Sequence, residues 1–202
     1  MKYSEEIQKL LPLGYLYLVI LGILKESIFN YQLGINILKY STIMDILISP
    51  IAEFTSNPIT LVFIVSLFVF HYYLPKIYLR NKDNKTLQKI FELKTTEELS
   101  EEEINKYHIF ASFKMFALIL LSFFVGTGVA GGYMTMHSIK ENKLKYNNIL
   151  NYNSGESEQI FLINSNSIYY FYVQKGNKSI KIAPIGAIKN IEKGLNIEIL
   201  SK

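Results

Sequence analysis

The stretch Met115-Phe-Ala-Leu-Ile-Leu-Leu-Ser-Phe-Phe-Val-Gly-Thr-Gly-Val-Ala-Gly-Gly-Tyr-Met-Thr-Met136 decides the class of this protein. It carries no charged side chain. As an α-helix rising ~1.5 Å per residue it extends about 33 Å, enough to cross the hydrocarbon core of a bilayer. With its flanks it defines an expected span at about 112–137. A second uncharged run starts at Pro58 and is closed by Leu74, Pro75 and Lys76, giving a span at 58–75. Tyr72, Tyr73 and Tyr78 cluster at its end, where amphipathic rings favour the headgroup layer. The run Leu10–Leu24 is short for a crossing of ~20 residues. Extended to about residue 30 it takes in Lys25 and Glu26, which near a helix end can reach water or pair with a neighbour. The third expected span is therefore 10–30.

Half of the 202 residues are hydrophobic, and they are pooled into these runs rather than spread at helix or strand periods. Cysteine is absent, which excludes disulfide scaffolds, Cys-ligated metals and thiol catalysis. Richness in Lys, Asn and Ile points to a bacterial source with an AT-rich genome. The N-terminal region carries Glu5 and Glu6 beside its lysines, and its apolar run ends in Leu24-Lys25-Glu26 without a small-residue cleavage site. It reads as a retained anchor.

Residues 1–138 thus form an expected transmembrane domain. Within it, 31–52 is apolar but broken by Gly34 and Asn36. Thr42 and Asp45 fit a capping box, opening a short helix that Pro50 is expected to stop. This segment reads as re-entrant or interfacial rather than as a crossing. Residues 76–107 form a polar connector with Arg80, six lysines and the acidic run from Glu97 to Glu103. Ser100 and Glu103 make a second capping box, from which one helix of about 37 residues is expected to run unbroken into the last span. Leu87–Leu93 reads as a further amphipathic helix. After a linker at 139–157, a small β domain is expected at 158–202, either an SH3-like barrel or a curled sheet. Its runs are Gln159–Asn164, Ser167–Gln174, Ser179–Ala183 and Asn196–Leu200, with Ser165-Asn166 and Lys175-Gly176-Asn177 as turns. Tyr169, Phe171 and Val173 alternate onto one face. So small a domain needs contact with other subunits or the membrane. The fold class is a membrane protein, mainly α, with this β domain appended.

Lys and Arg number two before the first span, two in 25–57, seven in 76–107 and nine after the last span. The positive-inside rule places the connector and the N-terminus in the cytoplasm of a bacterial inner membrane. Three crossings then put the β domain outside. Lys140, Lys143 and Lys145, just past the last span, run against this assignment, but long domains translocate despite charge.

Small residues mark the last span. Ser122, Gly126 and Ala130 recur every four residues, and Gly128 with Gly132 makes a GxxxG. Such grooves let helices approach closely where lipid supplies no hydrophobic drive between them. They suit self-association or packing against the chain's own helices, and Thr127 and Thr135 offer hydroxyls to a pore. Lys39 and Asp45 are polar groups in an apolar setting and candidates for a polar switch. His71 and His108 share one membrane boundary, a spacing open to metal binding or pH sensing, although interfacial polar residues explain them more simply and no third ligand is evident. The run Glu101–Glu103 reads as a solvated helix start. No nucleotide loop, catalytic triad, zinc-protease motif or basic nucleic-acid stripe can be assembled. No cofactor, metal, enzymatic activity or direct nucleic-acid contact is expected.

Leu33-Gly-Ile-Asn-Ile-Leu-Lys-Tyr-Ser41 with Asp45-Ile-Leu-Ile-Ser-Pro50, and Phe161-Leu-Ile-Asn-Ser-Asn-Ser-Ile-Tyr-Tyr-Phe-Tyr172 with Ile182-Ala-Pro-Ile-Gly-Ala-Ile-Lys189, resemble segments of small multi-pass bacterial membrane proteins. Some proteins of that type accompany CRISPR-associated or other phage-defence systems. The resemblance implies an accessory or effector of antiviral defence at the inner membrane. The expected function is that of a non-enzymatic homo-oligomer that alters permeability or relays a signal. The alternative is an anchor whose connector docks a soluble protein partner.

Overall fold

A computed structural model describes residues 2–80, 84, 86, 89 and 100–194. Among the described residues, the helices α1 (Lys2–Gln32), α2 (Ile43–Ser56), α3 (Pro58–Arg80) and α4 (Glu101–Lys140) precede five strands. The strands are β1 (Asn148–Tyr152), β2 (Ser157–Ser165), β3 (Tyr169–Gln174), β4 (Ile180–Pro184) and β5 (Ile188–Lys193). Two compact units result, one of Met1–Ser49 with Val125–Lys202 and one of Pro50–Phe124. The expected amphipathic helix at 87–93 and strand at 196–200 lie outside the described residues.

Local chemistry sets the helix ends. After α1 the Asn30 carbonyl accepts from the N–H groups of Leu33 and Ile35, both at 3.0 Å. Gly34 sits at φ 75°, the left-handed geometry that closes a helix and that glycine adopts without strain. Thr42 caps α2: its hydroxyl accepts from the Asp45 N–H at 3.0 Å, and Asp45 returns a carboxylate to the Thr42 N–H at 2.8 Å. Asn57 caps α3, its Oδ1 accepting from Ile59 and Thr60, with Pro58 at the first helical position where no N–H is missed. The Ser100–Glu103 box opens α4 as expected, and the helix then runs unbroken for 40 residues. It closes with Asn142 at φ 56° and the Lys143 N–H bonded to Ser138 at 2.9 Å.

Among the described residues three stretches, Pro12–Gln32, Pro58–Tyr78 and Glu102–Lys140, are long and apolar enough to cross a membrane. Their most apolar windows are only 17%, 22% and 17% buried within the chain, so the apolar side chains mostly face outward. Such a surface is stable only against lipid or protein. The helix α2 passes through Pro50 to Ser56 instead of stopping, and α3 passes Pro75 to Arg80. A proline inside a helix removes one i→i−4 bond, and the surrounding bonds carry the helix on where apolar packing supports it. At 14 residues, α2 is too short to span a bilayer.

In the first unit α1 and α4 run parallel and in close contact. A Cβ at Gly128 would lie 2.8 Å from the Lys25 carbonyl oxygen, and one at Gly132 would lie 2.7 Å from that of Phe29. The Gln32 amide donates to the Val129 carbonyl at 3.0 Å, capping this seam.

The five strands form one antiparallel sheet in the order β4-β3-β2-β1-β5, with a 3₁₀ turn, Ile185–Ala187, between β4 and β5. It begins at Asn148, within the stretch read as linker. The sheet is open and not a closed barrel, because no ladder joins β4 to β5 among the described residues. Its curl nevertheless brings Ala183 of β4 and Ile188 and Ile191 of β5 around Leu150, Ile160 and Tyr172 in one cluster. The opposite face presents Phe171 and Val173, with Tyr169 at its margin, as the alternation predicted. These pack with Leu33, Ile35, Ile37 and Ile139. The small sheet thus completes its core against the turn after α1 and the end of α4.

In the second unit α3 and α4 are antiparallel. Phe63 meets Phe123 at 5.2 Å between ring centroids, Phe68 meets Phe116 at 5.8 Å, and Tyr78 meets His108 at 5.4 Å.

Candidate functional site

The densest polar contacts between apolar helices and the sheet converge on the β2–β3 turn, Asn164-Ser-Asn-Ser167. Asn166 shapes it, its side-chain oxygen accepting from the N–H groups of Ile168 and Tyr169 at 3.0 and 2.8 Å. That fold leaves three side chains aimed at the helical part of the unit. Asn164 donates to the Glu26 carboxylate on α1 at 3.2 Å. The Asn166 amide donates to the Tyr40 carbonyl at 3.0 Å. Ser167 donates from its N–H and hydroxyl to the two carboxylate oxygens of Asp45, at 3.1 and 3.0 Å. Tyr40 adds edge-on ring contacts to Tyr169 and Phe171.

Asp45 is the hub of this joint. Its carboxylate caps α2 through Thr42 and holds the turn through Ser167. Burial works to raise its pKa, but the bonds from Thr42 and Ser167 outweigh it and hold the group below the usual carboxylate range. Four donors, two of them backbone N–H groups, are what a carboxylate at a helix start can satisfy. Lys39, the expected companion of Asp45, is exposed at the end of its 3₁₀ turn and is not among its partners.

The small residues of α4 separate into two faces. Gly128 and Gly132 are buried against α1, which is packing within the chain. Gly126 and Ala130 are exposed, as is Ser122 one turn earlier, and a Cβ at Gly126 would meet nothing within 4 Å. The Ser122 hydroxyl folds back onto the Leu118 carbonyl at 2.9 Å, leaving a shallow apolar surface. Thr127 and Thr135 are half-buried.

The two histidines do not form a pair. His71 is buried, its Nδ1–H donating to the Leu67 carbonyl at 2.8 Å, and its own carbonyl accepts from the Ser112 hydroxyl at 2.6 Å. His108 is buried in a different layer, against Tyr78 and Tyr107. Among the described residues no three His, Asp or Glu side chains gather as metal ligands would.

A second polar cluster sits in the curl of the sheet. The Tyr152 and Tyr172 hydroxyls bond to each other, Tyr152 donates to Glu158 at 3.2 Å, and Lys181 closes the chain on Glu158 at 2.8 Å. Burial first, then the neighbouring Tyr172 and Glu158 oxygens, push the Tyr152 phenol well up. The Glu158 bond raises Lys181.

Neither the joint nor this cluster was evident in sequence. Ser165-Asn166 reads as a hairpin turn between two strand runs, and only the run of four side-chain hydrogen-bonding residues from Asn164 to Ser167 signals more. Compared with known proteins, the chain matches no family model, no curated protein and no solved structure.

Proposed function

We propose that the chain is a non-catalytic, three-span protein of a bacterial inner membrane. It self-associates through the outward small-residue face of α4 and relays a signal between the sheet, outside, and the connector 76–107, in the cytoplasm. The observation that carries this reading is the joint at the β2–β3 turn. Through Glu26, Tyr40 and Asp45 the sheet is bonded to the end of α1 and the start of α2, while α4 leads directly out of it. A displacement of the sheet, on binding a partner, therefore acts on helices rather than being absorbed by a slack linker.

The outward apolar surface of the three long helices supports the membrane setting, and the lysine-rich connector supports the orientation. The exposed Gly126–Ala130 face supports a second copy as partner, because close backbone approach is the main source of helix affinity in lipid. Antiviral defence, implied by the resemblance of residues 33–50 and 161–189, is the biological setting we assign to the relay.

The test is the subunit count in nanodiscs by mass photometry, for wild type and for G126L/A130L. The reading expects a closed oligomer that the double variant converts to monomers. A monomer at every protein concentration would refute the self-association.

A further inference from the structure

The last two turns of α3 present Tyr73, Lys76, Ile77 and Arg80 on one face, at the spacing i, i+3, i+4, i+7 that stacks side chains along a helix. Together they line an open groove of about 470 Å³. The Lys76 ammonium lies 5.6 Å from the centre of the Tyr73 ring. That contact holds the cation beside an amphipathic ring, Tyr73 being 51% exposed. No Asp or Glu occurs anywhere in α3. Among the described residues neither Lys76 nor Arg80 lies within ion-pair distance of a carboxylate, whereas Lys106 and Lys181 both do.

We infer that this groove binds the phosphate of an anionic glycerophospholipid. The inference rests on the reading that α3 crosses a bilayer, and adds a ligand that reading does not include. Three properties select this ligand. Two cations one helical turn apart, with no ion-pairing acid among the described residues, match one phosphodiester; the Arg80 guanidinium supplies paired N–H donors and Lys76 a point charge. Tyr73, with the exposed Tyr72 beside it, sets the depth at the headgroup layer, where a lipid phosphate sits and a soluble anion has no apolar support. Ile77 lies between the cations and gives the glycerol and upper acyl carbons an apolar floor. Arg80 is also in the last turn of α3, where a cation offsets the negative end of the helix dipole.

The probe is short-chain phosphatidylglycerol, titrated into the detergent-solubilised full chain against phosphatidylcholine of equal chain length, with thermal unfolding and native mass spectrometry as readouts. Phosphatidylglycerol should stay bound and raise the unfolding temperature where phosphatidylcholine does not. K76Q/R80Q should weaken retention by roughly tenfold or more, given the attraction each cation contributes near a membrane surface. K189Q/K193Q, which removes two charges from the sheet, should leave it unchanged. R80K, which keeps the charge, should bind at an intermediate level and shows that the site tolerates substitution without unfolding. Equal responses to the two lipids, or equal losses in the two double variants, would overturn the inference. So would the same stabilisation by inorganic phosphate, or by a peptide of the connector's acidic run Glu97–Glu103. A protein recovered in soluble form without detergent would overturn the membrane reading as well. A detergent-requiring protein indifferent to phosphatidylglycerol would overturn the lipid site alone.

Discussion

Ser167 gives Asp45 two hydrogen bonds, one from its backbone N–H at 3.1 Å and one from its hydroxyl at 3.0 Å. A turn between two strands thereby depends on the same carboxylate that starts a helix more than a hundred residues earlier in the chain. The joint is charge-assisted, which makes it stronger than a neutral contact of the same geometry.

Replacing Asp45 with alanine removes both sets of bonds. The Thr42 cap itself remains; loss of the return bond from the Thr42 N–H and of the exposed bonds from Ser167 costs about 1–2 kcal/mol together. Amide exchange at Ser167 and Ile168 should quicken, while that of the β1–β2 ladder should hardly change. S167A removes only the hydroxyl bond and should have the smaller effect, about 1 kcal/mol.

The joint also has a pH signature. Asp45 has a folded-state pKa below its unfolded value of about 3.9. Its contribution is therefore fully present above about pH 4 and is lost as pH falls through the folded value. Unfolding profiles of wild type and D45N should differ by a constant amount from pH 5 to 8 and converge in acid. A gap that persists at the lowest pH would mean that the carboxylate charge is not what holds the turn.

The glycines of α4 should divide by face. G128A and G132A bring a Cβ against backbone oxygens of α1 at 2.8 and 2.7 Å, so the helices must separate. The expected penalty is about 1–3 kcal/mol, read by unfolding in detergent. G126A meets open space within its own chain and should leave the stability of the single subunit unchanged or slightly raised, acting only on self-association. Equal destabilisation at all three positions would contradict the two-faced assignment.

In the curl of the sheet, Y152F deletes the hydroxyl that links Tyr172 to Glu158 and should destabilise the sheet by about 1 kcal/mol. Tyr152 in the wild type should also resist ionisation where exposed tyrosines titrate near pH 10. Ultraviolet titration of wild type and Y152F should therefore show the same phenolate yield at that pH, the two differing only in stronger alkali.

The helical part of the fold was legible because uncharged length and capping boxes are local signals. Met115–Met136, the Thr42–Asp45 box and the Ser100–Glu103 box each announce themselves within a few residues. Pro50 misled because a proline's local penalty competes with packing that only the fold reveals. In the sheet, the alternation of Tyr169, Phe171 and Val173 identified a buried face but not its cover, since Leu33, Ile35 and Ile37 lie far away in sequence. Strand β1 escaped notice because Asn148-Ile-Leu-Asn-Tyr152 is short and polar at two of five positions; Leu150 alone is fully buried there. The GxxxG was visible, but which small-residue face stays within the chain depends on where α1 lies. Asp45 was singled out from its apolar setting, yet its partner Ser167 could not be, because a long-range hydrogen bond leaves no periodic trace.

The most direct test of the relay is the side on which its two ends lie. The chain has no cysteine, so single introduced cysteines report without background. Lys175→Cys, in the turn after β3, and Asn84→Cys, in the connector, would be exposed in intact cells to a membrane-impermeant maleimide. The account predicts labelling at 175 in intact cells, and labelling at 84 only after the membrane is opened. Labelling of both sites in intact cells, or of 84 alone, would contradict it.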